Sequence, residues 1–224
     1  MNLKPWNEDI KHLREVILKE DKLEESKNLC LSLHSMVHSS NMSGVSVKTF
    51  EDELWEGLDE ESCKTAVNEK GRTIAYGIWH SSRIEDITMN LLVTGEGQIF
   101  NLENWKDKIN SKITDTGNAL TKEGILEFSK NINIEELRNY RAEVGKRTRE
   151  IINNLIFKDM KKKFEKERLQ RIIDEGAVLD VEEANWLIDF WGRKNVAGIL
   201  LMPVTRHHIV HLNESFSAKK KIKR

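Results

Sequence analysis

Histidines are the residues of this chain with the clearest capacity for chemistry. Five of the seven histidines fall into two short segments, residues 33–38 and 206–211, and each segment contains a pair spaced four apart. Two imidazoles with that spacing project from one side of a helix on successive turns, so both can reach one ion. Neutral imidazole is a common ligand of zinc, nickel and iron. The spacing therefore indicates chemistry at a metal.

A mid-chain histidine and the C-terminal pair form the first candidate set. His80 falls on the apolar face of a predicted helix over residues 73–93, and His207 and His211 fall on that of a helix over 196–217. Burying three imidazoles without a shared purpose leaves polar atoms that cost about 1–3 kcal/mol each when unsatisfied. We predict that the three bind one divalent transition metal, zinc or nickel first, with positions open for water or substrate. The alternative is a set of core histidines satisfied by hydrogen bonds.

The remaining clustered histidines leave several interpretations open. His208 is rotated about 100° from His207 by helix geometry and could take its place in the site. The pair His34 and His38 could form a second metal site, supply a fourth ligand, or be a partly exposed pair near a helix end. We keep His38 as a candidate for the wall of the site and for cofactor binding.

Charged residues near these histidines are candidates for supporting roles. Arg141 falls on the inner stripe of a predicted helix over 134–157, where a guanidinium needs a carboxylate or an anionic ligand. It could pair with Glu85 or Asp86, or it could anchor an anionic group of a cofactor or substrate. Glu85, Asp86 and Glu214 are the acids closest in sequence to the histidines. They are candidates for catalytic groups or for carboxylates that orient the imidazoles.

The elements that must position these residues are helical. Apolar residues recur at helical spacing near 24–40, 73–93, 134–157 and 196–217, no segment alternates as a strand would, and the chain has only two prolines. This pattern predicts an all-α protein, a four-helix bundle with additional short helices. We expect a single domain over 1–224 with its core at about 24–217 and a solvated basic tail over 218–224.

Composition narrows the partners and the compartment. The chain carries 36 Lys+Arg against 37 Asp+Glu, a balance that does not favour nucleic acid as a partner. The longest apolar stretch, 196–204, is far shorter than the roughly 20 residues of a membrane-spanning helix. The two cysteines are too few for a disulfide scaffold. We expect a cytoplasmic protein with a small-molecule substrate and no membrane partner; the sequence leaves a homodimer open.

Two segments carry a resemblance to a known superfamily. Residues 78–86, IWHSSRIED, resemble the second helix of DinB-like proteins, and residues 202–214, MPVTRHHIVHLNE, resemble their fourth helix. That superfamily combines a four-helix bundle with a three-histidine metal site, one ligand from the second helix and a His-x-x-x-His pair from the fourth. The resemblance covers about 24–217 and implies His80, His207 and His211 as ligands.

The resemblance also implies a function. Some DinB-like proteins are S-transferases or isomerases that use a low-molecular-weight thiol, and others are hydrolases. We therefore expect a metal-dependent, thiol-dependent S-transferase first and a metal-dependent hydrolase second. Because the sequence contains no nucleophile–base–acid set independent of the metal, the other class is a non-catalytic, stress-linked helical binding protein. Longer connections at 94–132 and 158–194 distinguish this chain from the usual family member.

Overall fold

The computed structural model of the chain describes residues 1–67 and 69–223. Over those residues it is helical, and the β-type pairing is limited to an isolated antiparallel bridge between Lys163 and Asn195. The predicted all-α class is confirmed. No helix in the described ranges is both long and apolar enough to cross a bilayer.

The α-helices are, in chain order, α1 (Lys4–Val16), α2 (Leu23–Val37), α3 (Ser40–Ser43), α4 (Phe50–Trp55), α5 (Glu60–Lys64), α6 (Ile74–Asp86), α7 (Ile99–Leu102), α8 (Trp105–Ile109), α9 (Lys122–Asn131), α10 (Ile134–Asn154), α11 (Phe157–Met160), α12 (Lys166–Asp174), α13 (Glu182–Gly192), α14 (Val196–Leu201) and α15 (His207–Ile222).

Four helical rods enclose the core, and they correspond to the four long helices predicted from periodicity. α6 packs against α10 on one side and α15 on the other, while α2 packs against α10 and against the α14–α15 rod. Leu33, Ile78, Leu137 and Leu200, one from each rod, are almost completely buried. The apolar stripes read from the sequence therefore face one another.

Two of the rods contain π-helical segments next to the candidate site residues. α6 continues as a π-helix over Ile87–Thr94, and α14 joins α15 through a π-helix over Met202–Arg206. Pro203 lies at the start of the second segment, where its missing N–H is tolerated. Pro203 marks the change from α to π geometry. Such segments are often found at functional sites, and this one ends directly before His207.

The N-terminal helix extends the core beyond the predicted limits. Trp6, Ile10 and Leu13 recur at helical spacing on α1 and are buried against α2. The Trp6 indole donates a hydrogen bond to the carbonyl oxygen of Leu33 at 3.2 Å. The apolar core thus begins at Trp6 and not near residue 24; α1 gives a weak sequence signal because it is mostly polar and carries only a narrow apolar stripe.

The basic tail is more ordered than predicted. α15 continues to Ile222, and the Lys219 ammonium donates hydrogen bonds of 2.8 Å to the carbonyl oxygens of Glu53, Leu54 and Glu56. These carbonyls are at the C-terminal end of α4, where a helix leaves acceptors unsatisfied and where a cation is favoured. The tail is therefore helical up to Ile222, and its Lys219 caps a neighbouring helix. Arg224 lies outside the described residues.

Candidate metal centre

Three imidazoles predicted to share an ion meet between α6 and α15. His80 lies on α6, and His207 and His211 lie on successive turns of α15. The ring centroids are 4.6 Å apart for His207 and His211, 5.1 Å for His80 and His207, and 4.8 Å for His80 and His211. One nitrogen from each ring lies within 4.8 Å of the others. We call His80, His207 and His211 the open triad.

Hydrogen bonds on the far side of two rings fix which nitrogen faces the centre. Nδ1 of His80 donates to the carbonyl oxygen of Thr116 at 2.8 Å, and Nδ1 of His211 donates to Oε2 of Glu214 at 3.1 Å. A carbonyl or carboxylate can only accept, so both Nδ1 atoms carry the proton and both Nε2 atoms keep a lone pair. Nε2 of His211 lies 3.2 Å from Nε2 of His207. Metal-binding histidines are typically held in this way, so the open triad fits a divalent metal.

The electrostatic setting favours the ligating form of the rings. Burial, followed by the proximity of His211, lowers the pKa of His80 to about 3. Burial, followed by His211 and His80, lowers the pKa of His207 well below its usual range. The hydrogen bond from His211 keeps the pKa of Glu214 below its usual value, and Arg72 donates to the same carboxylate at 2.8 Å. His80 and His207 are therefore neutral near pH 7, as ligation requires.

The two ligand-bearing helices, α6 and α15, are close to each other at Gly77. Gly77 lies one turn before His80, and a Cβ built there would lie 3.4 Å from Oγ of Ser215 and 3.9 Å from Cβ of His211. These are ordinary contact distances. Gly77 therefore sits where α6 and α15 are close, with just enough space left for a methyl group.

A cavity of about 480 Å³ opens beside the open triad. Its lining includes Trp186, Phe190 and Trp191 of α13, together with Met202 and Val210. Trp186 and Val210 are about half exposed, at 53% and 43%. This volume and this aromatic lining are typical of small-molecule sites. The open triad thus has a protein-facing side that orients it and a cavity-facing side that a ligand can reach.

Three further histidines form a separate group around one carboxylate. Nε2 of His34 lies 2.8 Å from Oε1 of Glu85, and Nε2 of His38 lies 2.9 Å from Oε2. Nε2 of His208 lies 2.8 Å from the same Oε2. All four side chains have no exposed surface. We call His34, His38, Glu85 and His208 the closed cluster.

The closed cluster changes three sequence-based expectations. His38 contacts Glu85 and is not part of the described cavity wall. His208 faces Glu85 and so does not replace His207 in the open triad. The His34/His38 pair is fully buried and is not partly exposed at a helix end.

Burial is the main reason that the pKa values of His38 and His208 are lowered, the latter to about 4. Burial alone would raise the pKa of Glu85, but His38, His34 and His208 together hold it well below its usual range.

Arg141 is buried away from the cavity and is engaged by the protein itself. Its Nε donates to Oε2 of Glu51 at 2.8 Å, and its Nη2 donates to the carbonyl oxygen of Val37 at 2.7 Å. Its Nη1 donates to the hydroxyls of Ser81 and Ser82, each at 3.1 Å. The expected partners Glu85 and Asp86 are wrong, because α4 brings Glu51 to this position. The geometry gives Arg141 a structural ion pair and no direct route to a ligand in the cavity.

Of the three candidate acids, the structure brings only Glu214 to the open triad. Asp86 accepts hydrogen bonds from Arg83 at 3.0 Å and from the Tyr140 hydroxyl at 2.7 Å. It also accepts from the backbone N–H groups of Ile99 and Phe100, which begin α7. Asp86 therefore holds the connection after α6 in place, and it does not orient an imidazole. Glu85 belongs to the closed cluster.

Two partners of the open triad come from the longer connections that the sequence marked as unusual. The Thr116 carbonyl lies in the connection 94–132, and α13 with its aromatic wall lies in 158–194. A backbone acceptor leaves no signal in side-chain patterns, so Thr116 could not be read from the sequence. α13 did leave one, since Trp186, Phe190 and Trp191 are concentrated in a short helix.

Comparison with family models and with curated proteins finds no match for this chain. The functional assignment therefore depends on the site geometry and on the resemblance carried by residues 78–86 and 202–214.

Proposed function

We propose that this chain is a metal-dependent enzyme of the DinB-like type that binds one divalent transition metal through the open triad. Zinc and nickel are the first choices, because all-imidazole ligation suits both. The proposed reaction is transfer of a low-molecular-weight thiol to, or from, a small substrate held in the adjacent cavity, with the cytoplasm as the compartment.

One observation carries the proposal. Two of the three imidazoles are anchored through Nδ1: His80 donates to the Thr116 carbonyl, and His211 donates to Glu214. The Nε2 lone pairs that remain converge beside a cavity of about 480 Å³. Core histidines that only need hydrogen-bond partners have no reason to point their Nε2 lone pairs at one place beside an open cavity. Three ligands with an accessible remaining side is the arrangement of catalytic, as opposed to structural, metal sites.

Some residues of the site would orient the metal-binding imidazoles, and others would exclude water from the cavity. When bound, a divalent metal would supply the Lewis acidity that favours the deprotonated form of a thiol or a water molecule. Glu214 holds the His211 ring in one tautomer, and Thr116 does the same for His80. Trp186 and Phe190 provide an apolar wall on which a carbon skeleton can lie while water is displaced.

The resemblance to DinB-like proteins ranks thiol transfer above hydrolysis, and the protein does not offer its own sulfur to that reaction. Cys30 and Cys63 are both buried, and burial raises the pKa of each thiol to about 12. Neither is among the described residues that line the cavity. A sulfur nucleophile must therefore arrive as a small molecule, which the cavity volume accommodates and which the resemblance to DinB-like proteins implies.

Elemental analysis combined with an activity screen tests this proposal. We expect the His80→Ala/His211→Ala variant to hold one metal ion per chain fewer than wild type. The matched control is His12→Ala, which removes an exposed histidine paired with Glu25 at 2.6 Å and should leave the metal content unchanged. Wild type, but not the double variant, should conjugate small thiols to electrophiles.

The outcomes separate the candidate functions. Equal metal content in wild type and double variant would refute the metal site. Loss of metal in the double variant, combined with ester or amide hydrolysis by wild type that needs no added thiol, would favour the hydrolase. Loss of metal with no activity on either panel would favour a non-catalytic binding protein.

A further inference from the structure

We propose that the closed cluster is a second metal site, which binds one divalent first-row transition metal through His34, His38, His208 and Glu85 and stabilises the fold. This site is separate from the open triad and does not depend on the proposed enzyme activity. Mixed imidazole and carboxylate ligation suits manganese, iron and zinc.

The spacing of the donor atoms matches ligands around one ion. The three imidazole Nε2 atoms lie 2.8, 2.9 and 2.8 Å from the two Glu85 oxygens. Donors about 2.1 Å from a metal are about 3.0 Å apart at a right angle and about 3.4 Å apart at a tetrahedral angle. The separations are therefore close to those of donors that share one ion, and mixed imidazole and carboxylate donors suit manganese, iron and zinc alike.

Hydrogen bonding satisfies Nε2 of His34 and of His38, which contact Glu85 with hydrogen-bond geometry, but it does not satisfy His208. Nε2 of His208 is 2.8 Å from a Glu85 oxygen, yet the contact does not have hydrogen-bond geometry. Buried polar atoms without partners are rare and call for an explanation such as an ion. Ligation would give His208 Nε2 the partner that it lacks.

The charge of the closed cluster points the same way. Glu85 is an acid with no exposed surface, and the three imidazoles around it are also fully buried. The nearby guanidinium of Arg141 is already paired with Glu51 at 2.8 Å. A carboxylate in a low-dielectric interior needs a compensating charge, and a bound divalent cation would supply it.

The position of the closed cluster indicates a stabilising role. Its ligands come from three of the four rods: His34 and His38 from α2 and its C-cap, Glu85 from α6, and His208 from α15. None of the four side chains is exposed, so the ion would have no face open to substrate. Closed sites of this kind are structural, and their binding energy adds to folding stability.

The test uses protein in which the open triad has been removed. Metal-free His80→Ala/His211→Ala protein is incubated separately with Mn²⁺, Fe²⁺ under anaerobic conditions, and Zn²⁺, then desalted and analysed for metal. We expect one ion per chain to remain, and the melting temperature to rise by about 5–10 °C when free metal exceeds the dissociation constant about a hundredfold. Adding His208→Asn to this background should abolish both effects.

The result that overturns the proposal is a folded double variant that retains no ion and shows no thermal shift with any of the three metals. Retention of an ion that survives His208→Asn would also overturn it, because the ion would then lie elsewhere. Should the double variant fail to fold, wild type is compared with the single variant His208→Asn. A difference of one ion per chain supports the site, and equal content refutes it. Failure of the open triad would instead appear as equal metal content in wild type and the double variant.

Discussion

The two histidine groups of this chain share two of its helices but differ in their surroundings. The open triad faces a cavity of about 480 Å³ and has hydrogen-bond partners behind two of its rings. The closed cluster has no exposed side chain, and its rings converge on a carboxylate at the centre. The same residue type at the same four-residue spacing therefore serves two environments. Access to solvent, more than ligand identity, distinguishes a site that can act on a substrate from one that can only stabilise.

The start of α15 shows how finely the two groups are separated. His207 and His208 are neighbours in sequence, yet His207 joins the open triad and His208 joins the closed cluster. Consecutive helical residues point about 100° apart, so one turn can supply both groups. The π-helix over Met202–Arg206 directly precedes both residues.

Removing the carboxylate that contacts each histidine group should give the largest contrast. In metal-free protein, Glu85→Ala leaves the buried His34 and His38 without their common acceptor and should cost about 3–5 kcal/mol of unfolding free energy. Glu214→Ala removes a carboxylate that is 39% exposed and should cost less than about 1 kcal/mol. Urea denaturation followed by circular dichroism measures both. Equal losses would contradict the distinction between the two groups.

Substitution of Arg141 tests whether this buried residue stabilises the fold or binds an anionic ligand. Arg141→Ala leaves Glu51 buried without its partner and should destabilise the protein by about 3–5 kcal/mol, while the affinity for a bound thiol stays unchanged. Arg138→Ala on the same helix removes a cation over the Trp55 ring, 4.6 Å from its centroid, and is the control, with an expected cost of about 0.5–1 kcal/mol. If Arg141→Ala weakened thiol binding without loss of stability, the original role as an anion anchor would be restored.

Two glycines sharpen the comparison at the smallest scale. A Cβ at Gly145 would lie 3.0 Å from Nδ1 of His38 and 3.0 Å from Sδ of Met42, whereas the space at Gly77 permits ordinary contacts. Gly145→Ala should therefore cost about 1–3 kcal/mol by overpacking the closed cluster. Gly77→Ala should be neutral or stabilise by up to about 1 kcal/mol, since alanine favours the helix. Thermal unfolding of both variants distinguishes them, and a reversed order would contradict the packing described here.

The fold was largely accessible from sequence because its determinants are local and periodic. The stripes of α2, α6, α10 and the α14–α15 rod follow helical spacing, and two prolines in the chain leave long helices intact. The π segments were not predicted, since they depend on how each rod packs. α1 was missed because its stripe of Trp6, Ile10 and Leu13 lies in a mostly polar segment.

The candidate site was only partly accessible for a related physical reason. Spacing alone grouped His80, His207 and His211, because a helix fixes which of its residues share a face. Pairings between distant segments are not fixed by any local rule. The bonds from Arg141 to Glu51 and from His80 to the Thr116 carbonyl join residues separated by 90 and 36 positions. Those contacts required the three-dimensional structure.

The central claim is that the open triad holds a metal whose remaining side a small thiol can reach. Cobalt(II) absorption spectroscopy tests it directly: metal-free protein is loaded with Co²⁺ and titrated with 2-mercaptoethanol. We expect a sulfur-to-cobalt charge-transfer band in wild type and in His208→Asn, and none in His80→Ala/His211→Ala. Absence of the band in Co²⁺-loaded wild type, or its persistence in the double variant, would contradict the account.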